Sequence, residues 1–180
     1  MMEKVERNAD ILDNVKLIDD PKPTIEITKL KFKNHTLYFK GINYANSPIT
    51  IKYDDQDVLT TKQNQKYFSY HFPFRGYKNF SIENENFKHI ISKYDYATDT
   101  PEIMKSVFGK RYWKLTIKTP KHSLVKLTLG IKTYTLKSHF KTEITFKIPI
   151  KEVGRNKKFN IYATKKGLKT SPNLIAIIKK

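Results

Sequence analysis

Apolar and polar residues alternate along most of this chain, and the alternation repeats. The stretches ITIKYDDQDVLTTKQNQKYFSYHFPF (residues 49–74) and VKLTLGIKTYTLKSHFKTEITFKIPI (125–150) align without a gap, 76 residues apart. Ile49, Ile51 and Tyr53 fall on Val125, Leu127 and Leu129. Phe68, Tyr70, Phe72 and Phe74 fall on Ile144, Phe146, Ile148 and Ile150, and Pro73 falls on Pro149. A strand sends successive side chains to opposite faces, so a slip of one residue would turn a whole apolar set to solvent. Matching parity at seven apolar positions therefore predicts two copies of one β unit.

The first copy, residues 24–97, reads as strands near 25–33, 36–41, 48–53, 57–62, 67–74, 79–83 and 89–96. Polar turns at Lys33-Asn34-His35, Asn46-Ser47-Pro48 and Asp54-Asp55-Gln56-Asp57 separate them. The second copy, residues 110–180, reads as strands near 111–119, 123–130, 132–138, 142–150, 158–164 and 174–179, with Trp113 in its core. Several short strands at this spacing predict a sandwich. Between the copies, TDTPEIMKSVFG (98–109) reads as a short helical connector. Asp99 or Thr100 suits its cap, Pro101 its first position and Gly109 the residue just past its end.

Residues 1–23 read as an N-terminal arm. Val5, Ala9 and Leu12 have helical spacing, whereas IDDPKP (18–23) must be extended, because residues before Pro avoid the α region. Ile11, Leu12, Val15, Leu17 and Ile18 are more apolar than a solvated tail requires and form a candidate partner-docking segment. The alternative is a frayed terminus.

Charge changes this picture more than composition does. The net charge of +18 is divided unevenly: −3 over residues 1–20, +5 over 21–98, −1 over 99–109 and +17 over 110–180. The second copy should therefore attract polyanions. Lys114, Lys118, Lys126, Lys132, Lys137 and Lys141 alternate with its apolar positions and are the candidate polyanion contacts. Only Arg7, Arg75, Arg111 and Arg155 are arginines. That scarcity argues against base readout, which favours bidentate guanidinium groups, and makes nucleic acid the lesser partner. The wealth of Lys, Asn, Ile, Tyr and Phe also fits the codon bias of an AT-rich genome, and a solvated lysine-rich face is the bland alternative. The chain has no Cys, so no disulfide or thiolate metal site staples it. Its start carries no apolar run of signal-peptide type, and no segment reaches the ~20 apolar residues of a membrane span.

The residues resemble the bacterial immunoglobulin-like domains found in tandem in Gram-positive surface proteins and phage virion proteins. NYANSPITIKY (43–53) and KTPKHSLVKLTL (118–129) resemble that family's loop-then-strand signature. YFSYHFPF and EITFKIPI resemble its aromatic strand ending at Pro. NIYATKKGLKTSPNLIAIIKK (160–180) resembles its closing strand pair, with Ala163, Gly167 and Ser171 at small-residue positions. The first copy ends in IENENFKHIISKYDYA without a matching Gly, which leaves its last two strands open. The resemblance implies seven-stranded Greek-key sandwiches serving as spacer, decoration or adhesive modules, and no catalysis. The fold class expected is all-β: two immunoglobulin-like sandwiches in tandem, with an N-terminal arm and a short helical connector.

Candidate chemistry is sparse. His35, His71, His89, His122 and His139 show no metal-ligand spacing, and His71 is expected on an outer face. Asp54, Asp55 and Asp57 could offer oxygens to Ca²⁺, but they lack the spacing of a calcium loop and read as a polar hairpin turn. No phosphate loop, nucleophile elbow or carboxylate pair emerges. The expectation is a protein without enzymatic activity, cofactor or metal, with a structural or attachment role. The expected setting is the virion of a phage infecting an AT-rich Gram-positive host. The arm would dock on a capsid, tail or other assembly, and a polyanionic surface such as teichoic acid would meet the basic copy. A cell-surface adhesin or cell-wall-binding module is the first alternative. A nonspecific nucleic-acid or polyanion binder is the second.

Overall fold

Residues 24–45, 47–62 and 65–179 are described by the computed structural model. In chain order the first repeat forms β1 (Ile25–Lys33), β2 (Thr36–Asn43), β3 (Thr50–Tyr53), β4 (Gln56–Thr60), β5 (Tyr67–Pro73), β6 (Phe80–Asn84), β7 (Phe87–Ile91) and the one-turn helix α1 (Lys93–Tyr96). The second forms β8 (Glu102–Phe108), β9 (Tyr112–Lys118), β10 (Leu124–Leu129), β11 (Lys132–Lys137), β12 (Glu143–Pro149), α2 (Ile150–Val153), β13 (Lys158–Thr164) and β14 (Leu174–Ile177).

The two sets assemble in one topology. Sheet order β1-β2-β5 faces β4-β3-β6-β7 in the first, and β12-β9-β8 faces β11-β10-β13-β14 in the second. Every strand pair is antiparallel. Each unit is thus a seven-stranded immunoglobulin-like sandwich. Ile51 pairs with Ile82, and Leu127 pairs with Ile161, so the two residues occupy equivalent central strands. The pair Ile82 and Ile161 is 79 residues apart instead of 76, three residues having been added around α2.

Local chemistry explains the tight connections. Asn34 and His35 between β1 and β2, and Asp54 and Asp55 between β3 and β4, all have positive φ, at 49°, 60°, 54° and 61°. Two such residues in succession give a hairpin turn whose twist matches the strands, and Asn and Asp tolerate it better than most residues. A two-residue turn at Glu85-Asn86 also joins β6 to β7, so the closing strand pair of the first sandwich forms without a glycine.

The connector expected over 98–109 is not helical: Glu102–Phe108 is β8, the first strand of the second sandwich. Asp99, Thr100, Pro101 and Gly109, which suit a helix's cap, first position and end, flank a strand instead. A bulge between Ile103 and Lys105 breaks the alternation, so Ile103 and Phe108 turn to the same core despite an odd separation. The bulge in β1, between Ile27 and Lys29, stands 76 residues earlier. We place the division between the sandwiches at residues 98–101. The helix that does form, α1, lies where a strand to residue 96 was expected. Ser92 caps it: the Tyr94 amide donates to Ser92 Oγ at 3.3 Å, and the Ser92 amide donates to Asp95 Oδ2 at 2.7 Å.

The cores differ in material. Phe39, Phe68, Phe74, Phe80 and Tyr96 fill the first, with Phe80 meeting Phe74 edge-on at 4.9 Å. The second is mainly aliphatic around Trp113, which is fully buried.

Candidate binding faces and the interdomain joint

The loop between β13 and β14 is longer than its counterpart in the first sandwich, and it reaches back onto that sandwich. Phe32 N–H donates to the Gly167 carbonyl at 2.8 Å, Lys169 N–H to the Tyr96 carbonyl at 2.8 Å, and Thr98 N–H to the Lys169 carbonyl at 2.8 Å. Tyr77 Oη donates to the Thr170 carbonyl at 2.8 Å. Gly167 takes φ +85°, a conformation that strains residues with a Cβ. The Lys169 ammonium enters a box of rings from the first sandwich, 5.1 Å from the Phe32 centroid, 5.0 Å from Phe74 and 5.1 Å from Tyr77. Burial holds this amine below the usual lysine range. Among the described residues no ion pair includes it, so the ring faces stabilise its charge.

The two sandwiches are therefore joined by a loop, a β-bridge between Ala97 and Lys169, and a caged cation instead of a helical connector. Replacing Lys169 by Asp is expected to uncouple the sandwiches. Residual dipolar couplings should fit one alignment tensor for the native chain and two for the variant. A single tensor in the variant would show that the joint does not depend on this side chain.

The six candidate lysines of the second sandwich do not share one surface. Lys114 and Lys118 lie on β9, and Lys126 and Lys137 on β10 and β11 of the opposite sheet. Lys141 stands exposed in the loop before β12. Lys118 is in register with Glu143 on one side and Glu102 on the other. Lys132 is 3.6 Å from Glu152, which also accepts the Tyr134 hydroxyl. That hydroxyl and Lys132 hold the Glu152 carboxyl below its ordinary range, while burial and the carboxylate push the Tyr134 phenol up to about 12. Lys114 is exposed and stands directly across from Lys147.

In the first sandwich, lysines of the β4-β3-β6-β7 sheet and its turns are matched with acids. Lys52 pairs with Glu83 and Asp57, Lys88 with Glu83, and Lys78 with Asp54 at 3.2 Å. The Asp54–Asp57 segment is accordingly a hairpin turn neutralised by lysines. No three His, Asp or Glu side chains among the described residues gather closely enough to hold a metal ion.

The opposite sheet of this sandwich has a different outer face. Its rows are Lys33–Thr36–Pro73, Lys31–Tyr38–His71, Lys29–Lys40–Ser69 and Glu26–Ile42–Tyr67. The Tyr38 and His71 rings stack at 5.8 Å, so His71 does face outward. A shallow groove of about 320 Å³ runs over Lys29, Lys31, Lys33, Tyr38, Lys40 and Ser69. Counting charge by domain hides this face, because the acidic turn at Asp54–Asp57 cancels it in the total. The signal was present as Lys29, Lys31 and Lys33 at every second position of one strand.

The arm residues Ile11, Leu12, Val15, Leu17 and Ile18 lie outside the described residues. No described helix is long and apolar enough to cross a membrane. No family model and no curated protein sequence matches the chain. Among solved structures it is similar to the human OSCAR ligand-binding domain, at 7% sequence identity and a TM-score of 0.38, over 88% of this chain and 98% of that one. It is the sheet orders and registers of the chain itself that make it an all-β tandem of immunoglobulin-like sandwiches.

Proposed function

We propose that this chain is a non-enzymatic attachment protein, a virion component that decorates the capsid or tail of a phage with an AT-rich Gram-positive host. The observation that carries the reading is the joint. Two modules of one topology, locked through Lys169 and the β13–β14 loop, make a spacer of set direction rather than two tethered beads. A rigid pair suits display from a particle, because ordering cost is not incurred again on contact. In this reading the N-terminal arm docks on the assembly, and the field of the second sandwich draws the outer end toward a polyanionic host surface.

The test is immunolabelling of purified particles with an antibody to the second sandwich. Label on particles, lost when residues 1–20 are deleted from the gene, is the expected result. Label confined to the wall of uninfected cells would refute the reading in favour of a cell-surface adhesin.

A further inference from the structure

We propose that the outer face of the β1-β2-β5 sheet binds a linear polyol-phosphate polymer through Lys29, Lys31, Lys33 and Lys40. The inference deepens the attachment reading by giving it a surface and a polymer chemistry, and rests on that reading for its biological setting.

The first argument is that this face bears charge in an arrangement that a sheet disfavours. Lys29 and Lys40 stand directly opposite each other, and like charges in that relation are destabilising. Lys31 and Lys33 extend the file. None of the ion pairs among the described residues uses any of the four. The carboxylate on this face, Glu26, lies beyond the bulge and accepts the Tyr44 hydroxyl at 2.8 Å. Carboxylates do neutralise Lys52, Lys78, Lys88 and Lys132. Lys114 and Lys147 make a second like-charge pair in register, but among the described strands only β1 carries three lysines at alternate positions with a fourth beside them.

Geometry selects the ligand. Alternate residues of a strand are about 7 Å apart, so three cations repeat at that interval along β1, with a fourth beside them. Such a row does not converge on one small anion. It matches an extended polymer with a phosphate in each repeat. Lysine attracts as a hydrated point charge and does not impose bidentate geometry, which suits a flexible phosphodiester. Single-strand nucleic-acid sites add open aromatic platforms. On this face Tyr38, in the Lys31 row, has one ring side taken by His71, and the exposed Tyr67 lies beyond the lysine rows, so the file itself offers no series of free ring faces for successive bases.

The test titrates the full chain with synthetic poly(glycerol phosphate), with oligo(dT) and with poly-glutamate, each at matched charge. Four phosphate contacts predict that affinity for poly(glycerol phosphate) falls about 50-fold between 50 and 200 mM salt, roughly in line with single-strand counterion release. Changing Lys29, Lys31, Lys33 and Lys40 together to Gln should lower affinity at least about tenfold and flatten the salt slope. The matched variant with Lys114, Lys118, Lys126 and Lys137 changed to Gln should lose less than about threefold. Equal losses from the two variants would overturn the proposal in favour of a diffuse field, and absence of salt-dependent binding would overturn it outright. Tighter binding of oligo(dT) would reassign the face to nucleic acid, and tighter binding of poly-glutamate would remove the role of phosphate. Unchanged thermal unfolding of both variants excludes misfolding as the cause. Binding is read on the isolated chain, so failure of the particle-labelling test leaves this result standing, and the reverse also holds.

Discussion

Replacing Trp113 by Ala is expected to remove about 3–5 kcal/mol from the second sandwich, the range found when large aromatic side chains are cut from cores. A module of about 75 residues has a total stability of roughly 4–11 kcal/mol, so the variant should be partly or wholly unfolded. Trp113 is fully buried. It stacks on Phe108 at 5.9 Å, meets Phe159 edge-on at 5.3 Å, and donates its indole N–H to Ser106 Oγ at 2.9 Å. It therefore joins the bulged edge strand β8 to β13 across the core. The equivalent position in the first sandwich, 76 residues earlier, is Leu37, also fully buried. Trp113→Leu should consequently lose well under what Trp113→Ala loses. Because the change removes the only Trp, urea unfolding is best followed by circular dichroism, with hydrogen exchange at the Leu127 and Ile161 amides reporting this core alone. An alanine variant as stable as an exposed swap such as Lys114→Gln would contradict the packing described.

Gly41→Ala should be nearly as damaging to the first sandwich, for the opposite reason. A Cβ built on Gly41 would lie 2.2 Å from Cζ of Phe68 and 2.4 Å from the Glu26 carbonyl oxygen. The ring has some freedom, but the strand backbone has little, so the loss should reach the upper end of the roughly 1–3 kcal/mol typical of overpacking. The second repeat fills the same space differently, with Ile117 where Gly41 stands and Ile144 where Phe68 stands. Glycine and phenylalanine in one copy thus do the work of two isoleucines in the other. A double-mutant cycle should reveal it: Gly41→Ile combined with Phe68→Ile should be less destabilising than the sum of the single changes. Strict additivity would show that the two positions do not share one space.

The alternation of side chains was sufficient to determine the sandwiches, because each half-buried strand must keep its apolar set on one face. It set the parity of Ile51 with Leu127, placed Trp113 inside, and turned His71 outward. Where a bulge interrupts the alternation the same reasoning failed, and β8 was read as a helix because Asp99 or Thr100, Pro101 and Gly109 suit a helix's cap, first position and end. Only pairing with β9, which satisfies the backbone of Glu102–Phe108, decides between helix and strand. The joint was beyond local pattern altogether. Tyr77 and Thr170 are 93 residues apart, and nothing in either segment specifies that one loop will cross to the other sandwich. The charge was legible as a total but not as a surface. Sheet register put Lys118 between two glutamates and left Lys29, Lys31, Lys33 and Lys40 together on one face without an ion pair, and the placement of α2 tied Lys132 of β11 to Glu152. Composition determines how much charge a chain carries; the distance between charges, on which their energy depends, comes only with the tertiary structure.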